Sequence, residues 1–168
     1  MDFSRLNPTR VVVGGIASLL LIASVLFMPW YSLTHDAFAR HASSGNFDAA
    51  WVCGPNDYSC TGFETFPLMR WLLLLAALAP LILAYILVRG HRLSWPPGEM
   101  TMVAGFAAAV LIIYNGIIDK PGGDFANPGL SLDYGYWVAL VAAIVIGGTG
   151  FTRSQQGQRR VRKAPGTV

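Results

Sequence analysis

The chain has 168 residues, 54% of them apolar and only 12% charged, with a formal net charge of +3 and a mean hydropathy of +0.48. A soluble domain is usually about a quarter charged, so this composition leaves too little polar surface to wrap a core in water. It excludes an ordinary water-soluble domain and points to a one-domain, all-α protein of the bilayer.

A hydrocarbon core about 30 Å thick needs roughly 20 residues of helix to cross it, and four uncharged runs come near that length: 11–30, 71–88, 100–118 and 136–151. Each is expected to be helical, since backbone groups left unpaired in lipid cost several kcal/mol apiece. The first run carries Gly14 and Ser18 at four-residue spacing, which lets helix backbones approach closely. It ends at Trp30 and Tyr31, read with Trp71, Trp95, Tyr134, Tyr136 and Trp137 as an interfacial aromatic belt. Ala37-Phe38-Ala39 imitates a signal-peptidase site, but the run exceeds the 7–15 apolar residues of a signal core, so an uncleaved span is expected.

The first loop, 32–69, is far longer than a connection requires. Gly54-Pro55-Asn56-Asp57 is strong turn chemistry, and aromatic and β-branched residues flank it, which predicts a β-hairpin over 48–63. Cys53 and Cys60 are the only cysteines. If their loop faces an oxidising compartment they form a disulfide, closing a short loop worth about 2–3 kcal/mol on chain entropy. Phe47, Trp51, Tyr58, Phe63 and Phe66 are the candidate contact residues of this loop. His35, Asp36 and His41 lack a fourth partner and are not read as a metal site.

Pro80 lies within the second run and predicts a kink. In the third, Gly105 and Ala109 offer a small-residue face, and Ala143 and Gly147 do so in the fourth. Asn115 is the only strongly polar side chain in a span, and a bond to a neighbouring helix is its expected role. The fourth run is the shortest and is expected to extend outward through Leu130 and Leu132. The loop 119–135 is rich in Gly and Pro. The segment 153–168 is read as a soluble, flexible, basic tail that follows a transmembrane domain over 1–152.

Nine of the twelve cations fall on the side of the N-terminal segment, the second connection and the tail: Arg5, Arg10, Arg89, Arg92, Arg153, Arg159, Arg160, Arg162 and Lys163. The positive-inside rule then places both termini in the cytoplasm and the cysteine loop outside the plasma membrane. No span carries an ionisable side chain of the kind that marks a proton or ion path. A phosphate-binding Gly-rich loop, a nucleophile elbow and a His-Glu-x-x-His helix are all missing, so no catalytic residue, cofactor or metal is expected. The basic tail is too short for a nucleic-acid partner.

Met28-Pro29-Trp30-Tyr31, Gly62-Phe63-Glu64-Thr65-Phe66 before a Leu-rich run, and Tyr134-Gly-Tyr-Trp-Val-Ala-Leu140 together resemble a group of uncharacterised four-helix membrane proteins common in actinobacteria, over most of the chain. That resemblance implies no activity. The layout of a Trp after the first run, Trp51-Val-Cys53, a second Cys60 and Arg70 is also similar to the claudin and peripheral-myelin-protein superfamily, though Trp51 stands one residue closer to Cys53 than in that family's signature. It implies a stapled sheet above a helical bundle. Disulfide-generating membrane oxidases share the length and span number, but need two redox pairs, one of them Cys-x-x-Cys.

The functional expectation is a non-enzymatic membrane protein, an accessory subunit or claudin-like assembly protein. It would work within lipid as a homo-oligomer or a subunit of a larger complex. A small channel or transporter component is the alternative, and a membrane thiol–disulfide oxidoreductase the second. A cytoplasm-only reporter fused after Val168 should be active, whereas the same reporter placed between Cys53 and Cys60 should be silent.

Overall fold

A computed structural model describes residues 8–34, 53, 58–89, 98–119 and 130–162. In chain order they form α1 (Pro8–Phe27), β1 (Pro29–Leu33), β2 (Ser59–Thr61), a short α2 (Gly62–Thr65), α3 (Met69–Val88) and α4 (Glu99–Ile113). A π-helical turn (Tyr114–Ile118) continues α4, followed by β3 (Leu130–Leu132) and α5 (Tyr134–Arg162). The architecture is mostly helical, with one small sheet.

Three helices are long and apolar enough to cross a membrane: Met69–Ile86, Glu99–Ile118 and Tyr134–Gln155, while Val11–Phe27 is a shorter apolar helix. Their large side chains point outward over much of the surface, as at Leu20, Leu75, Val103, Val110 and Val141. Inward-facing positions are small or closely fitted, including Ala17, Ala77, Ala108, Ala139 and Ala143. α1 packs on α3 and α5, and α4 packs on the same two, so the four long helices enclose one core.

The tightest seam joins α4 to α5. A Cβ on Gly105 would stand 2.7 Å from the Cα of Gly147, and one on Gly150 would stand 2.7 Å from the Cα of Met102. The two backbones run antiparallel and in contact, which is how helices associate without a hydrophobic driving force between them. The N-cap of α4 is Gly98, at φ 117°, in the left-handed region where a Cβ is costly. A Cβ there would also meet Gly150 O at 2.6 Å. Gly98 therefore lets the chain enter α4 while pressed against α5.

Several boundaries differ from those the sequence suggests. α1 stops at Phe27 and does not reach Trp30. Pro29 has no N–H to donate and biases Met28 away from helical dihedrals, so residues 29–33 leave as a strand. β1 is the middle strand in the order β2-β1-β3, antiparallel to both neighbours. Tyr31 stands opposite Cys60 on one side and Leu132 on the other. Leu130 and Leu132 are thus a strand and not an outward extension of the last helix. That helix is capped where Tyr134 N donates to Asp133 Oδ1 at 2.7 Å.

At its other end α5 runs on to Arg162, so the expected flexible tail is helical for its first ten residues, 153–162. The stretch Ser154–Gln156 and Gln158–Arg162 holds no proline, and most of its residues favour helix. The hairpin expected over 48–63 falls largely outside the described residues. Its one described strand, β2, pairs with β1. α3 continues unbroken through Pro80.

The α4–α5 seam makes a sharp prediction. Gly105→Leu should destabilise the purified protein by about 1–3 kcal/mol or prevent folding, because overpacking has no room to relax. Gly148→Ala has nothing within 4 Å of its added Cβ and should leave the midpoint unchanged or raise it slightly. Thermal unfolding in detergent compares the two.

Candidate functional site

The best-defined polar chemistry lies at the sheet end of the helices. Trp30, the second residue of β1, is fully buried, and its Nε1 donates to Ser24 O at 3.0 Å and to Ser24 Oγ at 3.1 Å. The Ser24 hydroxyl donates in turn to Gly135 O at 2.6 Å. One serine thus accepts from the indole and ties α1 to the start of α5. Asp133 N closes the loop by donating to Trp30 O at 2.9 Å.

Two rings flank the indole, and a third joins through one of them. Phe66 lies 6.2 Å away at 65° and Tyr136 lies 5.9 Å away at 89°, both edge to face. Tyr31 meets Phe66 at 6.0 Å and 63°. Such pairs add about 0.5–1.5 kcal/mol each beyond the area they bury. Room for them comes from two glycines: a Cβ on Gly62 would stand 2.6 Å from Trp30 Cε2, and one on Gly116 would stand 2.7 Å from Tyr136 Oη.

The π-turn sets the remaining contacts. Its i→i−5 bond runs from Asp119 N to Tyr114 O at 2.8 Å. Two tyrosine hydroxyls reach carbonyls in this turn and just before it. Tyr31 Oη donates to Asn115 O and Tyr136 Oη to Ile112 O, each at 3.2 Å. Burial pushes the Tyr31 hydroxyl well above its ordinary pKa, and the nearby Tyr136 phenol pushes it the same way. It stays a neutral donor throughout the physiological range.

Cys53 and Cys60 form the disulfide, and both are buried. Cys60 sits within β2, opposite Tyr31, so the bridge ties the loop to the strand that borders the aromatic plug formed by Trp30, Tyr31, Phe66 and Tyr136. Of the loop contact residues, Phe66 points into the plug, Phe63 stacks on Trp71, and Tyr58 is exposed while its carbonyl accepts from Leu33 N at 2.8 Å. Phe47 and Trp51 lie outside the described residues, as do His35, Asp36, His41 and Trp95.

The small-residue positions face one another. Gly105, Ala109, Ala143 and Gly147 are all turned into the interior, the first and last in direct backbone contact. Gly14 lies on α5 near Thr149, and Ser18 is buried, its hydroxyl donating to Gly14 O at 2.7 Å. Among the described residues the Asn115 side chain bonds within its own helix. Its Nδ2 donates to Leu111 O, one turn back, at 2.9 Å, because the i−4 carbonyl is the nearest acceptor on its own helix.

Three residues expected in the interfacial belt, Trp30, Tyr31 and Tyr136, are buried in the plug instead, while Trp71, Tyr134 and Trp137 are exposed. A ring at a helix end has two apolar destinations, the lipid boundary and the protein interior, and residue type alone does not separate them. The one available signal was Pro29, which forces the chain off the helix just before Trp30. Gly62 and Gly116, which make room for the rings, had no signal.

Among the described residues no group of three or more His, Cys, Asp or Glu stands ready for a metal ion. The buried side-chain polar atoms among them without a partner are Arg70 Nε and Thr101 Oγ1. The chain matches no family model, no curated protein and no solved structure.

The raised pKa of Tyr31 has a measurable sign. An unfolded tyrosine ionises near pH 10, whereas the folded one resists ionising. The stability Tyr31 contributes is therefore complete below about pH 10 and is lost as pH rises above it. Tyr31→Phe should cost about 0.5–1.5 kcal/mol near neutrality through the lost hydrogen bond. The gap to wild type should narrow between about pH 10 and 12 in thermal unfolding followed by tryptophan fluorescence.

Proposed function

We propose that this chain is a non-enzymatic, multi-pass protein of the plasma membrane. All four long helices cross the bilayer, with both termini in the cytoplasm and the sheet outside. It acts as an accessory or assembly subunit through the sheet and the loop stapled to it, in a homo-oligomer or a larger complex. Three helices of spanning length support the membrane part. The fourth, α1, joins them because it packs between α3 and α5 and its outward face is equally apolar. The arginine distribution supports the orientation.

The observation that carries the role is how the polar groups of the helices are spent. Ser18, Ser24, Asn115, Thr149 and Thr152 each donate to a carbonyl of the protein itself, and Thr101 Oγ1 is the one buried helix hydroxyl among the described residues left without a partner. A carrier or channel keeps some such groups for its cargo. Here the sheet end is instead filled by Trp30, Tyr31, Phe66 and Tyr136, which favours a packing role over a conducting one. The disulfide favours it too, since both sulfurs are buried and a thiol–disulfide catalyst needs an accessible one.

The small-residue faces are used inside the protomer, so partner contacts belong to the loop and to the outward helix surfaces. The layout of a stapled sheet over helices supports the likeness to claudins as a shared architecture, and the likeness to the actinobacterial four-helix group is part of the same proposal.

Gentle purification of the full chain from its native membranes should yield an assembly larger than the monomer. Cys53→Ser or Cys60→Ser should reduce that assembly severalfold while leaving the monomer folded. A monodisperse wild-type monomer with no stoichiometric partner would end the reading. A pair that cycles between thiol and disulfide under quenched labelling would replace it with redox chemistry.

A further inference from the structure

Arg70, the second residue of α3, is a cation with more donors than the protein supplies acceptors. Its guanidinium carbon lies 4.4 Å from the Phe63 ring centroid and 5.6 Å from that of Trp71. The two rings meet edge to face, 5.9 Å apart at 72°, and the cation rests against both from one side. Of its five N–H bonds, Nη1 donates to Phe63 O at 3.2 Å and Nε–H is buried without an acceptor, so the remaining terminal N–H bonds are the ones a ligand can meet. Glu64, the acid closest in sequence, has its Oε2 taken by Thr61 N at 2.9 Å and Thr61 Oγ1 at 3.0 Å, the capping box of α2. Phe63 is therefore anchored by α2, and the ring contact is set before any ligand arrives.

The surroundings say what would meet this charge. Leu68 is 80% exposed and Trp71 54%, and Leu75, Leu78 and Ile82 continue the exposed apolar stripe down α3. A cation held at the head of an apolar wall combines the two features of a phospholipid site: a fork of donors for phosphate oxygens and a surface for acyl chains.

We propose that Arg70, oriented by Phe63 and Trp71, binds the phosphate of an outer-leaflet phospholipid whose chains lie along Leu75, Leu78 and Ile82, below Trp71. The site rests on the membrane reading above. A soluble phosphate would meet the same donors and leave the wall uncovered, so the lipid is the occupant that satisfies both.

The test uses the full chain in maltoside micelles, which contain no phosphate, titrated with phosphatidylglycerol and followed by native mass spectrometry. Wild type should hold a phospholipid with an apparent affinity about tenfold above that of Arg70→Gln, the effect of one charge-assisted hydrogen bond. Phe63→Leu keeps the charge but loosens the ring contact, and should also weaken binding. Arg70→Lys, which keeps the charge without the fork, should fall between. If Arg70→Gln does not fold, the other two carry the comparison, and equal lipid affinity in both and in wild type overturns the site. Millimolar inorganic phosphate should leave the lipid in place; displacement would replace the lipid with a soluble anion. Carbonate extraction of cell membranes reports separately on the membrane reading: wild type leaving the pellet would sink that reading, whereas retention with equal lipid affinities sinks only the site.

Discussion

Ser24 is the point on which the sheet end of this protein turns. Its hydroxyl proton goes to Gly135 O, and its lone pair and main-chain carbonyl receive the Trp30 indole N–H. Those contacts join α1, β1 and the start of α5 in the buried interior. A buried donor or acceptor left unmade there costs about 1–3 kcal/mol, so the indole, the serine and the carbonyl hold one another in place. Phe66 and Tyr136 then pack on an indole that is already oriented, and Tyr31 follows from the next residue of the strand.

The π-turn is best understood from the same end. Tyr31 and Tyr136 each bring a hydroxyl into the interior, and each needs an acceptor. Asn115 O is among the last four carbonyls of the helix that α4 and the π-turn form, which have no partner within it, and Ile112 O has a second lone pair to offer. The acceptors meet the hydroxyls at the turn Tyr114–Ile118 and just before it, and Gly116 leaves room for the Tyr136 ring. Far from the sheet, the α4–α5 contact is built on the opposite principle. Gly105, Gly147 and Gly150 remove side chains so that backbone meets backbone. The protein is thus held by polar, aromatic packing at one end and by bare van der Waals contact along the seam.

This arrangement bears on function through what it leaves over. The interior polar groups are largely spent on the fold, and the small-residue faces are spent on the α4–α5 and α1–α5 contacts. What remains for recognition is the stapled loop, the outward apolar faces and Arg70. An interaction role and a lipid contact draw on separate parts of that remainder, α3's outer face for the lipid and the loop for a protein, so neither excludes the other.

Composition and uninterrupted apolar runs were enough to find the long helices, because lipid forces every uncharged run of that length to satisfy its own backbone. The pairing of Cys53 with Cys60 was equally readable, there being no other cysteine. The small residues at 14, 105, 109, 143 and 147 signalled close contact, but not with what. Whether Trp30 and Tyr136 sit at a lipid boundary or in a core depends on where β1 lands after Pro29, which is decided by strands far along the chain, where Thr61 pairs with Pro29 and Leu132 with Tyr31. Only the tertiary structure supplies those partners. The same holds for the π-turn, which packing against distant residues selects, whereas local propensity is enough to carry the last helix on to Arg162.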